Sequence, residues 1–469
     1  MKRSLLHRWL PLATAIVLTA CSTARPWINK PITAAAAAAA LPISPAATAA
    51  SPSIVAAITL SGGGARAAAF GLGVLEELKA TRFEWEGRKT SLLDEVGLIS
   101  GVSGGSVLAT YYAAFGDEVF SRFHEDFLQA DFQTGLILDA LSPPTLYRLG
   151  SPWWGRSNAF NRRLDPVFRG MTFGELRAQR ARPQLLVTAT DLTTGGPFEF
   201  TPEQFGLICS ELDSVPLSFA VAASSSVPLL LSPMTLRNYA DRCAEAAPSA
   251  AADPAGRNLS ARLLDLVADS YRNSQERPYI HLVDGGVVDN LGVRGLLERT
   301  LAGGTFEASF KGLQPGSVHQ IVLISVNSER DTAERIDGSD RVPGHLQVLD
   351  ALVFGAGSRL SKETTMMIDD VAQRMNEALR FERGRPGSPF AADAEIHVIN
   401  VGLRQLKDPE MRRNLMQVPT ALTILPIQVE QLQRAGREVL RESPAFQRLR
   451  RSLGADPQSL TAAAADPTR

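Results

Sequence analysis

The chain has 469 residues, enough for one large domain or two to three ordinary ones. Its apolar content of 45%, charged content of 21% and formal net charge of −1 are ordinary for a globular protein, and no basic run argues for a nucleic-acid partner. The three cysteines form no C-x-x-C pair and no H-E-x-x-H motif occurs, so a zinc site has no support in the sequence.

The first 21 residues are typical of an export signal. Met-Lys-Arg is followed by a short apolar stretch, Trp9 to Ala20, which is too short for a membrane span of about 20 residues. Leu18 to Cys21 resembles the lipoprotein box of bacterial proteins, which implies that Cys21 is lipidated and becomes the first mature residue. Ser22 after it implies the outer membrane by the usual sorting rule. The alternative is a plain secretory signal cleaved near Ala20.

We therefore expect a signal peptide at 1–20 and, at 21–53, a lipidated cysteine with a flexible tether. Residues 22–53 are rich in Ala, Pro and Ser, include seven alanines in a row, and lack the apolar periodicity that would bury a core. The alternative for the alanine run is a short isolated helix, which is marginal at this length. The protein is expected to be exported and held by its lipid at the periplasmic face of the outer membrane.

A strand, a glycine-rich loop and a helix follow. Residues 54–60 are an apolar run, and Gly62, Gly63 and Gly64 are expected to expose consecutive backbone N–H groups at a helix N-terminus. Such a loop could cradle a phosphate or form an oxyanion hole for an acyl-transfer intermediate. It lacks the acidic residue of a dinucleotide site and the Gly-Lys-Ser/Thr of a Walker loop. Arg66 could orient the loop, meet a phosphate, or be a surface arginine.

Residues 98–106 predict a second strand, a tight turn and a helix. The segment Gly101 to Gly105 fits the G-x-S-x-G nucleophile elbow, which raises the hydroxyl of its serine, here Ser103, above the sheet. The alternative is a Gly/Ser-rich loop without chemistry, because a pattern this short also arises by chance.

The middle of the chain offers mostly structural residues. Cys209 and Cys243 would meet an oxidising compartment in an exported protein, so they could form a disulfide or remain two buried thiols. The serines 224–226 end a helix before a proline and are interpreted as packing and capping residues. Residues 242–278 resemble an insertion that is either a lid or a surface excursion.

A strand then runs into Asp284-Gly285-Gly286. Side chains of a strand alternate between faces, so Asp284 shares a face with Leu282, whereas His281 points the other way. A serine hydrolase normally uses histidine as its base, but His281 is interpreted as a packed or surface residue. The other histidines of the folded region have no catalytic motif around them: His124, His319, His345 and His397. Asp284 is left as the candidate base.

Three motifs therefore stand in order: the glycine loop at 61–66, the elbow at 101–105 and the aspartate motif at 284–286. Together they closely resemble the patatin-like phospholipase family over roughly residues 54–330. The segment 223–228 also looks like the block that this family has between elbow and aspartate. One departure lies at 290–293, where many relatives have a proline after the Asn-x pair.

The resemblance implies roles for particular residues. Ser103 would be the nucleophile and Asp284 its base, in a Ser–Asp dyad without histidine. Gly62, Gly63 and Gly64 would supply the oxyanion-hole amides. Independently of the resemblance, Arg66 is a candidate for supporting the loop. No metal or cofactor is required by the motifs.

In the last third of the chain, strands are predicted at 321–326 and 395–401, and helices at 346–379 and 424–443. The amphipathic spacing of the first helical stretch indicates cover on a sheet rather than a separate domain. We expect one α/β domain at 54–445, with a central mixed, mostly parallel sheet flanked by helices and a nucleophile elbow. Residues 446–469 are expected to be a fraying tail.

The function expected from the resemblance is hydrolysis of acyl esters in phospholipids or other acylglycerols. The partners are then a lipid substrate and a membrane, the latter through the N-terminal lipid anchor. Two alternatives remain: a transacylase or thioesterase that uses the same dyad, and a non-catalytic lipid-binding protein of the cell envelope.

Overall fold

The structure is a computed structural model. It describes residues 22–33, 35–36, 53–179, 183–243, 258–302, 307–310, 312–330, 340–344, 348, 351 and 356–455. The predicted signal peptide, Cys21, His345 and residues 456–469 lie outside the described residues.

The β-strands are β1 (Ile54–Leu60), β2 (Arg82–Trp85), β3 (Arg88–Ser91), β4 (Val96–Gly101), β5 (Gln184–Asp191), β6 (Pro197–Glu199), β7 (Met234–Arg237), β8 (Tyr279–Val283), β9 (Val318–Asn327) and β10 (Phe390–Gly402). The α-helices are α1 (Gly64–Ala80), α2 (Gly104–Phe115), α3 (Glu118–Phe123), α4 (Phe132–Leu141), α5 (Pro143–Leu149), α6 (Arg156–Leu164), α7 (Phe173–Ala178), α8 (Pro202–Leu207), α9 (Leu217–Ser224), α10 (Leu259–Arg272), α11 (Arg294–Ala302), α12 (Ala356–Glu382), α13 (Pro409–Met416), α14 (Pro426–Glu442) and α15 (Pro444–Ser452).

A mixed sheet forms the centre of the fold. Its strand order is β10-β9-β1-β4-β5-β8-β7, with β6 paired to β5, and β2 and β3 form a separate hairpin. The strands from β10 to β5 run parallel, whereas β8 is antiparallel to both β5 and β7. The predicted α/β class, with a mixed, mostly parallel sheet flanked by helices, is confirmed.

Helices cover both faces of the parallel strands, which explains why β1 and β4 are buried along their whole length. Ile58 of β1 faces a core shared with α1, α2 and α14, whereas Ala57 packs towards Leu296 of α11 on the other face. α1 and α14 approach so closely that a β-carbon at Gly73 would lie 2.0 Å from the carbonyl oxygen of Gln433. Glycine at this crossing therefore fixes the position of α1, the helix that follows the glycine loop.

The carboxyl ends of β1, β4 and β8 meet at one edge of the sheet. β1 and β4 are parallel neighbours. The C-terminal residues of β8 pair with the C-terminal residues of β5, with Thr190 opposite Val283 and Asp191 opposite Leu282. The three motifs follow these strands directly, so the topology brings distant parts of the sequence to one place.

Residues 22–33, which we call the N-terminal strap, lie against the folded domain. The side-chain amide of Asn29 donates to Ser210 Oγ at 2.7 Å and to the carbonyl of Arg237 at 2.9 Å. Trp27 packs on Phe219 with ring centroids 5.1 Å apart. The expected flexible tether is therefore wrong for these residues, because Asn29 finds its partners 181 and 208 positions away, which local composition does not reveal.

A disulfide lies at the end of the N-terminal strap. Cys209 and Cys243 are bonded, with their Cα atoms 5.8 Å apart, so of the two sequence alternatives the structure has the disulfide. The N–H of Ile32 donates to the carbonyl of Cys209 at 3.0 Å. The disulfide thus braces the loop to which the strap is attached.

The folded domain continues past residue 445. Phe446 and Leu449 of α15 are fully buried, so the expected tail is wrong for residues 446–455. Their spacing of three places both side chains on one helix face, a pattern obscured by the surrounding arginines. In the part of the chain that the structure describes, no helix is long and apolar enough to cross a bilayer.

Candidate active site

Ser103 holds a backbone conformation that few non-glycine residues adopt. Between β4 and α2 its φ is 50° and its ψ is −123°. Such strain persists only where the surroundings enforce it, and it is common at functional sites. Gly105 allows the turn, since a β-carbon there would lie 2.4 Å from the carbonyl oxygen of Leu60. The turn is therefore the sharp strand-to-helix elbow that the sequence predicts.

Ser103 and Asp284 are in direct contact. Ser103 Oγ donates to Asp284 Oδ2 at 2.8 Å, and the N–H of Gly286 donates to Asp284 Oδ1 at 2.7 Å. Both side chains are buried, each with 6% exposure. A carboxylate in this position can accept the hydroxyl proton of the serine without an intermediate group.

Burial changes the acidity of Asp284. Desolvation raises the pKa of its carboxyl from 3.8 to about 6, although the hydrogen bonds from Gly286 and Ser103 act in the opposite direction. A carboxylate with a pKa near 6 is a stronger base than an ordinary aspartate and is still largely ionised at neutral pH.

The described histidines all lie in other hydrogen-bonded sites. His281 is exposed on β8 and pairs with Thr235 at 3.0 Å, as its predicted orientation away from Asp284 requires. The remaining pairs are His124 with Gln433, His319 with Asp393, and His397 with Gln320 and Glu395. In the described part of the chain, no histidine therefore stands between serine and aspartate.

The end of α9 supports both residues. Ser224 Oγ accepts the backbone N–H of Ser103 at 2.9 Å and donates to the carbonyl of Thr188 at 2.6 Å. Two residues later, the carbonyl of Ser226 accepts the N–H of Asp284 at 2.9 Å. The sequence predicts only packing and capping roles for these serines. Their partners lie 36 to 121 positions away, so no local sequence pattern indicates them.

The glycine loop presents fewer free donors than predicted. The N–H of Gly62 donates to the carbonyl of Asn290 at 3.0 Å, so it is already occupied and its predicted place in an oxyanion hole is corrected. The N–H groups of Gly63 and Gly64 have no acceptor among the described residues. The same holds for Gly104, directly after Ser103, which sequence reasoning did not consider. Gly64 and Gly104 both line the cleft beside Ser103.

Arg66 lies beneath the loop rather than on the surface. It is 2% exposed and donates to the carbonyls of Ser328 at 2.9 Å and Val418 at 2.6 Å. Desolvation lowers the pKa of its guanidinium to about 9, with Arg330 adding to the effect and Glu329 opposing it. Arg66 therefore ties the glycine loop to the residue that follows β9 and to the segment before α14. Because its guanidinium is engaged in these bonds, we interpret Arg66 as a residue that supports the loop.

A cleft of about 400 Å³ opens beside Ser103. Its walls come from the elbow, helices α4 to α6, the turn after α9 and the segment at 420–422, and they are mainly apolar: Val107, Phe127, Leu136, Ile137, Ala140, Leu149, Ala159, Val227, Leu230, Leu231, Ala421 and Leu422. Volume and lining are those of a site for a small apolar ligand such as an acyl chain.

Ser225 adds a polar atom to the cleft. It is 5% exposed, and its hydroxyl has no hydrogen-bond partner among the described residues. A buried hydroxyl without a partner is costly unless a ligand or water satisfies it. Ser225 is thus a candidate contact for the polar end of a ligand.

Two other sequence expectations concern the surroundings of the cleft. None of the described residues of the 242–278 insertion lines it, so the lid interpretation has no structural support there. Within the described ranges, no group of three or more His, Cys, Asp or Glu side chains is arranged to hold a metal ion.

Comparison with known proteins gives one family and a set of solved structures. A family model described as Patatin-like phospholipase matches residues 58–297. Human GIVD cytosolic phospholipase A2 is similar over 88% of this chain and 63% of its own, with 14% identity and a TM-score of 0.44. The same enzyme in complex with methyl gamma-linolenyl fluorophosphonate is similar over 88% and 60%, with 14% identity and a TM-score of 0.39. The chain thus spans less than two thirds of these structures, and no curated protein matches it.

Proposed function

The chain belongs to the patatin-like phospholipase family, and from this premise we propose that it is a lipid acyl hydrolase with Ser103 as nucleophile and Asp284 as base. The observation that carries the proposal is the 2.8 Å hydrogen bond between Ser103 Oγ and Asp284 Oδ2 beside an apolar cleft. An acyl chain in the cleft would bring its ester to the hydroxyl.

The proposed reaction has two halves. Ser103 Oγ attacks the acyl carbon while its proton passes to Asp284, and the tetrahedral intermediate then expels the alcohol, which takes that proton. Water attacks the acyl-serine, gives a proton to Asp284, and the fatty acid leaves as Ser103 regains its proton. The raised pKa of Asp284 supports this dual use, because the group must both accept and return a proton.

The intermediate needs donors for its oxyanion. Gly63, Gly64 and Gly104 are the proposed N–H donors, since their amides have no other acceptor among the described residues. Loss of one such donor typically costs about 100- to 1000-fold in rate. The free hydroxyl of Ser225 is the proposed contact for the polar part of the ester.

The test uses the purified full chain with a chromogenic short-chain acyl ester and with a phospholipid. Ser103→Ala and Asp284→Asn should each lower kcat at least about 1000-fold, and Ser103→Ala should abolish labelling by a fluorophosphonate. Ser218→Ala, a buried serine elsewhere on α9, is the matched control. Ester hydrolysis or labelling that survives in Ser103→Ala would refute the assignment. Product analysis, free fatty acid against an acylated acceptor, decides between hydrolase and transacylase.

We also propose that residues 1–20 direct export and that Cys21 carries the lipid anchor, which places the protein at the periplasmic face of the outer membrane. The Cys209–Cys243 disulfide supports export, because disulfides persist in oxidising compartments. Metabolic labelling with a radioactive fatty acid should mark the wild-type chain and not Cys21→Ala. Equal labelling of both chains would contradict the anchor.

A further inference from the structure

The helical hairpin formed by α4 and α5 is apolar on two sides. One side lines the cleft, through Leu136, Ile137 and Leu149. Large apolar side chains are also exposed on the same two helices: Leu138 at 63%, Leu141 at 66%, Leu146 at 53% and Tyr147 at 55%. A surface helix of a soluble domain normally has a polar outer face. This hairpin therefore lacks a partner on its outer side.

The turn after α9 exposes further leucines beside the hairpin. Leu229 and Leu230 are 62% and 65% exposed, and Leu230 also lines the cleft. Leu229 has a φ of 70°, a conformation that is unfavourable for a leucine. The carbonyl of Leu229 is held by Arg156 Nη2 at 2.6 Å. The chain thus keeps an apolar side chain in water at the cost of backbone strain.

We define the apolar rim as the exposed apolar residues that stand next to the cleft lining without forming part of it: Leu138, Leu141, Leu146, Tyr147, Trp153 and Leu229. The neighbouring charges are mainly positive. Arg148 lies on α5, Arg156 begins α6, and Arg25 stacks on Trp153 at 3.8 Å, whereas Asp139 is the single acidic residue of α4 and α5. Apolar side chains with adjacent arginines suit the interface of an anionic phospholipid bilayer.

The N-terminal strap begins at this rim. Ser22 is 1% exposed, Ser151 Oγ donates to the carbonyl of Ala24 at 2.6 Å, and Arg25 covers Trp153. The other end of the strap is fixed by Asn29 and by the loop that the disulfide braces. Ser22, Ala24 and Arg25 therefore lie against the segment 150–153, at the rim of the cleft.

We propose that the apolar rim is the surface with which this protein lies on an anionic phospholipid bilayer, the N-terminal strap holding the point of attachment beside the mouth of the cleft. The inference rests on the proposed function and adds an orientation to it. An acyl chain would pass from the bilayer into the cleft between apolar walls, without crossing water. A long free tether would impose no such orientation.

The test compares two double variants of the full chain. Leu141→Asp/Leu146→Asp charges the rim, and Met366→Asp/Phe381→Asp charges two equally exposed apolar positions of α12 as the matched control. Substrates are a water-soluble short-chain ester and vesicles of phosphatidylcholine with phosphatidylglycerol. We expect the rim variant to hydrolyse vesicle phospholipid about 10- to 100-fold more slowly, with soluble-ester turnover within about twofold of wild type. The control should match wild type on both.

A second measurement does not depend on activity. Quenching by brominated phospholipids, taken as the difference between wild type and Trp153→Phe, should show Trp153 inside the bilayer in wild type and outside it in the rim variant. The proposal would be overturned if the rim variant hydrolysed vesicle phospholipid at the wild-type rate, or if Trp153 of the wild type were not quenched. So would a lipid-free dimer that the rim variant breaks, since a second copy would then cover the rim. If wild type cleaves no soluble ester, the proposed function fails and quenching alone decides the orientation.

Discussion

The side chain of Ser224 and the backbone of Ser103 are joined by a hydrogen bond of 2.9 Å, across 121 positions of sequence. The same hydroxyl donates to the carbonyl of Thr188 at 2.6 Å, so the strained elbow is tied to β5 through a single serine. The position of the proposed nucleophile therefore depends on a residue whose hydrogen bonds go to Ser103 and Thr188 rather than to the proposed base.

Ser224→Ala should lower kcat for a soluble ester about 10- to 100-fold, because the Ser103 N–H loses its acceptor and the elbow can relax. The free energy of unfolding should fall by about 1–3 kcal/mol, the cost of a buried unpaired donor. Ser218→Ala is the control, since this buried serine of α9 bonds Asp165 instead. It should lose stability with little change in kcat. Wild-type kcat in Ser224→Ala would show that the bond does not position the nucleophile.

The rate of ester hydrolysis should depend on the ionisation of Asp284. Because burial raises its pKa to about 6, kcat should fall about tenfold per pH unit below that value and be level above it. The dependence is measured as kcat for the soluble ester at a series of pH values. A rate that does not change between about pH 5 and pH 8 would contradict a base with this pKa.

Asp284→Asn should be more stable than wild type above pH 6. The unfolded carboxyl ionises near 3.8 and the folded one near 6, so ionisation lowers the free energy of unfolding progressively between these values, and the loss persists at higher pH. The difference corresponds to about 3 kcal/mol as an upper figure. We expect a gain of about 1–3 kcal/mol at pH 8 and none at pH 4, measured by urea unfolding. A variant less stable than wild type at pH 8 would argue against a desolvated carboxylate.

Gly104→Ala should disturb the proposed oxyanion hole without changing the side chain of the proposed nucleophile or of the proposed base. A β-carbon at this position would lie 2.0 Å from the carbonyl oxygen of Gly64, so the two glycine turns must separate. The expected loss of kcat is about 100-fold or more, with KM less affected. Gly71→Ala is the control, because its β-carbon meets first the flexible end of Leu108 at 2.8 Å. Equal activity of both variants would show that the close approach of Gly64 and Gly104 is not needed to place the donors.

The double variant Cys209→Ser/Cys243→Ser should have a free energy of unfolding about 3–4 kcal/mol lower than wild type, because the disulfide closes a loop with a sequence separation of 34. Reduction should lower the Tm of wild type and leave the double variant unchanged. If reduction has no effect on wild-type Tm, the disulfide does not contribute to stability.

The sequence was most informative where function requires local backbone chemistry. The glycine loop, the elbow and the aspartate motif each show a recognisable pattern, and β1 has the bounds that its apolar run predicts. The contact between Ser103 and Asp284 follows from topology, since both motifs end strands at the same edge of the sheet.

Hydrogen bonds between residues far apart in the chain could not be predicted from the sequence. The occupied N–H of Gly62 depends on where Asn290 places its carbonyl, and the support from Ser224 depends on a helix reaching the elbow. The N-terminal strap resembles a linker in composition, yet Trp27 and Asn29 attach it to the domain. In each case one side chain has a partner that its neighbours in sequence do not indicate.

The first turn of α1 is held by residues beyond the segment that the family model matches. The carbonyl of Ala421 accepts the N–H of Ala65 at 2.8 Å, and Arg66 reaches Ser328 and Val418. Substitutions in the last third of the chain are therefore constrained by the need to keep these contacts with the glycine loop. A chimaera that transplants residues 58–297 into a foreign scaffold would inherit the serine and the aspartate, but its glycine loop would lose the bonds to Ser328, Val418 and Ala421.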